Sequence, residues 1–257
     1  MRKFLAVLTI VLFVAMAGVV QATDFVNGGF ESGNLTGWTG GGGNWSAYGD
    51  VSPKIYVPYT GLALPTASQY VGGTPNNTVV GVGTDPITGQ NTVYNGQYSV
   101  RVNDSYNNYS VSTISQSVKG YSSNQIYFEW NAVLQSSHGL SDSDYFALTL
   151  TDDTTKTVLY NTSFSSASAP GIFTYYPSDW YGSGWQVEDL NVTAGHDFTL
   201  SLLASDCPYG GHAGYVYLDG FGAVVVPPTN NVPEPATMLL LGLGLVGLAG
   251  VRRKLKG

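Results

Sequence analysis

The chain has 257 residues with 43% hydrophobic and 11% charged residues, less than half the roughly 25% charge of an ordinary soluble domain. Six of its ten basic residues (Arg2, Lys3, Arg252, Arg253, Lys254 and Lys256) sit in the two tails, so Thr23–Asn230 holds four basic and sixteen acidic side chains, a net charge of −12. That balance excludes a nucleic-acid partner, and the single cysteine, Cys207, excludes an intramolecular disulfide.

Met1-Arg2-Lys3 followed by the apolar run Phe4–Val20 reads as a signal peptide, a basic start before a hydrophobic helix. Val20-Gln21-Ala22 places small residues where a signal peptidase reads, so cleavage is expected between Ala22 and Thr23. From Thr23 to Val226 no segment keeps a period of 3.6, whereas apolar and polar residues alternate between Gly, Asn, Asp and Pro breaks. An all-β domain over residues 23–226 is predicted, a single sandwich. Its clearest strands are Gln97–Val102, Val111–Val118, Ile126–Leu134, Tyr145–Leu150, Thr157–Tyr160, Gln186–Val192, Phe198–Leu203 and Tyr215–Val226.

Thr39–Asn95 is irregular in sequence, with the glycine run Gly40–Gly43, five prolines and several aromatics. Short strands and long loops at one edge of the sandwich are expected there. Tyr145–Leu150 and Thr157–Tyr160 flank a polar turn, in which Asp152 and Asp153 bond local amides rather than perform chemistry. Exposed aromatics among neutral polar residues suit a sugar, whose C–H face stacks on an indole or phenol. Trp45 and Trp180, with loop-like neighbours, are the candidate ligand-binding residues, and Trp38, Trp130 and Trp185 read as core. Cys207 lacks the setting of a nucleophile. Glu129 with Asp144 or Glu188 is the carboxylate pair an enzymatic reading would need.

Four segments carry a resemblance in order along the chain. Asn27-Gly28-Gly29-Phe30-Glu31 through Gly37-Trp38, Tyr94–Arg101, Thr113–Val118 with Ile126-Tyr127-Phe128, and Val216–Phe221 resemble the opening, middle and closing motifs of jelly-roll carbohydrate-binding and galactose-binding-like modules. The closing motif departs from the pattern at Gly220, where the family has a second aspartate, and residues 40–91 form an insert. The resemblance implies a jelly roll and a structural calcium ion tying the first strand to the last. The matching ligands are Glu31 and Asp219, with Asp24 a looser candidate; the alternative is that Glu31 bonds backbone amides and Asp219 closes a turn. Asp206–Asp219 resembles a glycine-rich signature of bacterial surface proteins, a tight turn before the last strand.

After a linker at residues 227–232, Pro233-Glu234-Pro235 precedes the apolar run Ala236–Val251 and a basic end with Arg252 and Arg253. This resembles the three-part PEP-CTERM sorting signal at residues 233–257. The apolar run is near the minimum for a transmembrane helix and the basic end stays cytoplasmic. The resemblance implies processing by an exosortase in a bacterium that makes exopolysaccharide, and delivery to the cell surface or matrix after transient anchoring in the inner membrane. The expected function is that of a non-enzymatic exported surface protein. Glycan binding is favoured for the body; a purely structural role and a secreted glycan-active enzyme are the rivals.

Overall fold

The computed structural model describes residues 24–46, 55–58, 76–136, 143–168, 171–208 and 210–222. The signal segment, its cleavage point at Ala22 and Thr23, the linker, Pro233-Glu234-Pro235, Arg252, Arg253 and the C-terminal apolar run lie outside the described residues. So do the predicted signal and transmembrane helices. Within the described residues the chain is all-β, with one 3-10 turn at Ser166–Ser168 and no α-helix.

Thirteen strands form two antiparallel sheets. The first contains β1 (Thr39–Ser46), β2 (Ile55–Pro58), β5 (Ser110–Val118), β7 (Tyr145–Asp152), β8 (Thr157–Ser165) and β12 (Phe198–Ser205), in the order β2-β1-β5-β12-β7-β8. The second contains β3 (Asn77–Gly81), β4 (Tyr98–Val102), β6 (Gln125–Gln135), β9 (Thr174–Tyr176), β10 (Trp180–Gly182), β11 (Gln186–Asn191) and β13 (Gly214–Gly222), in the order β3-β4-β13-β6-β10-β9. The eleven residues of β6 carry two partners in series on one side, β11 along Gln125–Trp130 and β10 along Val133–Gln135.

Period-two alternation decides what lies between the sheets. Phe128, Trp130, Ala132 and Leu134 of β6 face Phe146, Leu148 and Leu150 of β7 and Phe198, Leu200, Leu202 and Ala204 of β12, all in one buried cluster. Each large apolar side chain buried there is worth about 1.5–3 kcal/mol, so this core, with no disulfide available, holds the sandwich.

The outward face of the seven-stranded sheet is closed by the chain itself. Tyr215 and Tyr217 point away from the main core, and both donate their hydroxyls to Asp85 Oδ2, at 2.6 and 2.8 Å. Asp85 Oδ1 accepts from the amides of Ile87 and Thr88, so the segment between β3 and β4 is locked down over a second buried cluster of Val133, Trp180, Ala213, Tyr215 and Tyr217.

The glycine run, expected to be irregular, is strand β1. It pairs with β5 from Thr39↔Ser115 to Asn44↔Ser110. Glycine is what permits this: at Gly42 (φ 134°) a Cβ would stand 1.9 Å from the Val111 carbonyl oxygen. β2 and β3 fall at sheet edges, with β1 next to β2, as the irregular segment predicts. The polar turn between β7 and β8 is also as expected, with Asp152 Oδ1 accepting the amides of Thr154 and Thr155.

Candidate functional site

One end of the sandwich, where β4, β6, β8 and β12 stop and β5, β7 and β13 begin, collects aromatic side chains around a buried aspartate. Asp206, immediately after β12, is fully buried. Its Oδ2 accepts the amides of Asn108 (3.0 Å) and Ser110 (2.9 Å), and its Oδ1 accepts Asn103 Nδ2 (2.9 Å). Its own amide donates to the Ser110 carbonyl, and its carbonyl accepts Trp45 Nε1 at 2.9 Å. Burial pushes the carboxyl up to about 7 against the lowering effect of those donors.

The loop between β4 and β5 is held in an uncommon backbone shape by these bonds. Asn103 (φ 68°) and Tyr109 (φ 66°) both occupy the left-handed region, which a tyrosine adopts only when its surroundings over-determine it. Asn103 is fixed by Asp206, by the Gly214 carbonyl and by the hydroxyls of Ser110 and Ser112. The Tyr109 ring packs where a Cβ on Gly210 (φ 87°) would stand 2.5 Å from its hydroxyl. Asp206–Asp219 is therefore a structural signature: its aspartate pins the loop, its glycine receives Tyr109, and Cys207 and His212 close the turn through an amide-to-carbonyl bond of 3.1 Å. Cys207 is fully buried, which agrees with a structural thiol.

This arrangement presents Tyr106 at 74% exposure in the middle of the pinned loop. Tyr109 ends the same loop, where its carbonyl accepts the Trp45 amide at 2.6 Å; both are half-buried, and Tyr145, exposed, opens β7 at the same end. From this end the outward face of the six-stranded sheet runs away as rows of side chains that are small except for Leu203. One row is Gly41, Thr113, Leu203, Ala147 and Ser163, and the next is Thr39, Ser115, Ser201, Thr149 and Asn161. Thr113 Oγ1 and Ser201 Oγ in these rows are buried and take no hydrogen-bond partner. The central positions of both rows are buried, with Thr113 and Ser201 each 1% exposed.

The expected site residues divide. Trp45 stands at the aromatic end. Trp180 does not, and the ligand role expected for it is corrected: its Gly- and Ser-rich surroundings are a hairpin of β9 and β10 rather than a loop, and its ring packs into the second buried cluster on the outer face of the seven-stranded sheet. It is 5% exposed, with its ring 6.0 Å from that of Tyr215. Tyr106 was missed, although Asn103-Asp104-Ser105-Tyr106-Asn107-Asn108 carries the turn-forming composition of an exposed loop.

Of the three expected calcium ligands, Glu31 and Asp219 both approach Gly29. Glu31 accepts the amides of Gln97 and Tyr98, and Asp219 accepts those of Tyr94, Asn95 and Gly220. Asp24 lies elsewhere, accepting Ser122 Oγ at 2.5 Å. Calcium takes six to eight oxygens, and among the described residues no three His, Cys, Asp or Glu side chains cluster, so backbone carbonyls would supply most of the ligands. The two carboxylates tie the opening segment and β13 to the loop before β4.

The carboxylates an enzymatic reading needs are also apart. Glu188 Oε1 accepts Trp130 Nε1 and the Tyr160 hydroxyl on the core side of its sheet, whereas Glu129 lies on the outward side beside Asp219. Asp144 receives the Gln135 amide, six residues along β6 from Glu129 and so about 20 Å away at about 3.3 Å per residue. Glycosidase carboxylates stand about 5–10 Å apart across an open cleft. Burial and the neighbouring Asp219 charge push Glu129 up to about 7, and both members of that pair are closed off from solvent, at 4% and 1% exposure.

The described strands thus define a β-sandwich of two antiparallel sheets. Residues 231–254 match the PEP-CTERM protein-sorting motif, which marks the chain as an exported protein held at its C-terminus by a membrane anchor until it is processed. No curated protein matches the chain. Among solved structures it is similar to TmCBM61 in complex with β-1,4-galactotriose, at 14% identity and a TM-score of 0.38, over 78% of this chain and 97% of that one. It is similar to Caldicellulosiruptor saccharolyticus CBM27-1 in complex with mannohexaose, at 13% identity and 0.35, over 79% and 97%. A third similarity, to the enzymatically active domain of bacteriophage CBA120 tailspike protein 4, is at 8% identity and 0.35, over 79% of this chain and 21% of that one.

Proposed function

We propose that this is a non-enzymatic cell-surface or matrix protein, delivered by signal peptidase and exosortase, whose sandwich binds a hydroxyl-rich glycan such as exopolysaccharide at the aromatic end. The observation that carries the reading is Tyr106, 74% exposed on a loop whose backbone is fixed by Asp206 and Asn103. An exposed aromatic on a rigid loop stacks on a sugar with little ordering entropy to lose. Trp45, Tyr109 and Tyr145 extend the platform.

The test is a glycan array probed with the full chain in detergent, alongside Tyr106→Ala and Trp45→Ala. Binding that falls about tenfold or more in Tyr106→Ala, with the melting temperature kept, supports the reading. Binding unaffected by both substitutions moves the site elsewhere. An absence of binding to any glycan leaves the structural matrix component as the function.

A further inference from the structure

We propose that β8 is a self-association edge, through which a second copy of this chain adds antiparallel to the six-stranded sheet about a twofold axis at Thr162. β8 ends that sheet, and among the described residues β7 is the one strand hydrogen-bonded to it. A free edge presents unpaired N–H and C=O groups, and proteins ordinarily block it with charge, proline, shortness or a bulge. β8 has nine residues, Thr-Val-Leu-Tyr-Asn-Thr-Ser-Phe-Ser, with no charged side chain and no proline. Its bulge comes early: the register with β7 shifts between Leu150 and Thr151, opposite Tyr160 and Val158, and is regular from Tyr160 to Ser165.

That regular half is complementary to itself. In an antiparallel pair centred on Thr162, Tyr160 of one copy opposes Phe164 of the other, Asn161 opposes Ser163, and Thr162 opposes Thr162. Aromatic–aromatic and Thr–Thr pairs are among the stabilising cross-strand combinations. Tyr160 and Phe164 are only partly buried at the open margin of the main core, so the pairing also completes their cover. The body carries −12 and copies of it repel, while β8 is uncharged and, at nine residues, longer than the other uncharged edge strands β2, β3 and β9. An isologous contact of this kind closes as a dimer with a continuous twelve-stranded sheet.

Two measurements test it on the full chain. Thr162→Cys, expressed in the producing cell, is expected to give a disulfide-linked dimer on a non-reducing gel, because directly opposed side chains have Cβ atoms about 4.5–5.5 Å apart. The native cysteine, Cys207, is fully buried, and Ser117→Cys, exposed on β5, is the control expected to stay monomeric. Sedimentation in detergent is expected to show a dimer for the unmodified chain, with self-association weakened about tenfold or more in Asn161→Lys with Ser163→Lys. A monomer in sedimentation together with no Thr162→Cys cross-link overturns the proposal. So does a dimer that survives the lysine pair with an unchanged dissociation constant. If Thr162→Cys melts earlier than the unmodified chain, the lysine pair decides alone.

Discussion

The sharpest consequence of this interior concerns pH. Asp144 is fully buried at the aromatic end, where it accepts the Gln135 amide at 2.7 Å and the hydroxyls of Ser143 and Ser166. Burial nevertheless outweighs those donors and pushes its carboxyl from 3.8 up to about 8. Asp206, Asp219 and Glu129 are each raised to about 7 by burial. A carboxyl whose folded pKa lies above its unfolded value binds protons preferentially in the native state. Its contribution is full below the unfolded pKa, near pH 4, and is lost as pH rises to the folded pKa. For Asp144 alone, a shift of about four units at 1.36 kcal/mol each corresponds to on the order of 5 kcal/mol lost between about pH 4 and pH 8. Stability should therefore fall across that range, whereas most proteins are most stable between about pH 5 and 8. The assay is thermal unfolding of the full chain in detergent, followed by circular dichroism from pH 4.5 to 8.5. Asp144→Asn, neutral at every pH and able to keep the bonds to Gln135, Ser143 and Ser166, should flatten the slope by up to about 1.4 kcal/mol per pH unit. A stability that rises from pH 5 to 8, or an unchanged slope in Asp144→Asn, would refute the account. Asp152 acts in the opposite sense. Burial raises its carboxyl, but the bonds from His196 and Thr155 outweigh burial and leave it below the usual range, so its contribution is lost only as pH falls through that depressed value.

Trp180→Ala should lower stability by about 3–5 kcal/mol, the usual effect of truncating a buried tryptophan, with the loss read as an earlier thermal midpoint and no selective loss of glycan binding. Asp206→Ala strips the partner from the Asn108 and Ser110 amides and should destabilise by about 1–3 kcal/mol per orphaned donor. It should also release the β4–β5 loop, seen as faster amide exchange at Asn108 and Ser110. The amides around Glu31 and Asp219 engage both carboxylates, so thermal unfolding in calcium against chelator decides between the two readings: a clear rise in calcium assigns a metal there, and an unchanged melting temperature leaves the carboxylates as backbone ties.

Alternation in the sequence was sufficient for the architecture. Six of the eight strands read from period-two patterning appear within about two residues of their expected ends, and the last, expected over Tyr215–Val226, is described as far as Gly222, because a half-buried strand must place apolar side chains at every second position whatever its neighbours. β8 runs on from Tyr160 to Ser165, where its alternation is carried by Thr162 and Phe164 between small polar residues. The glycine run was opaque for a related reason. β1 has almost no side chains to alternate, and it is a strand only because β5 approaches so closely that a Cβ at Gly42 would collide with Val111.

The sorting tail was legible residue by residue, since Pro-Glu-Pro, an apolar run and a basic end act as a linear signal. Composition likewise argues against nucleic acid and leaves no second cysteine for an intramolecular disulfide, because charge and cysteine count do not depend on how the chain folds. The sandwich decided what the aromatics and carboxylates do. Trp45 and Trp180 have similar sequence surroundings, yet one stands at the end of β1 and the other is turned under Tyr215 by the β9–β10 hairpin. Glu129 and Glu188 were a plausible pair until strand register put them on opposite sides of one sheet. Local patterning sets which residues are in strands, but which face and which end each side chain reaches is fixed by pairing between segments distant in sequence.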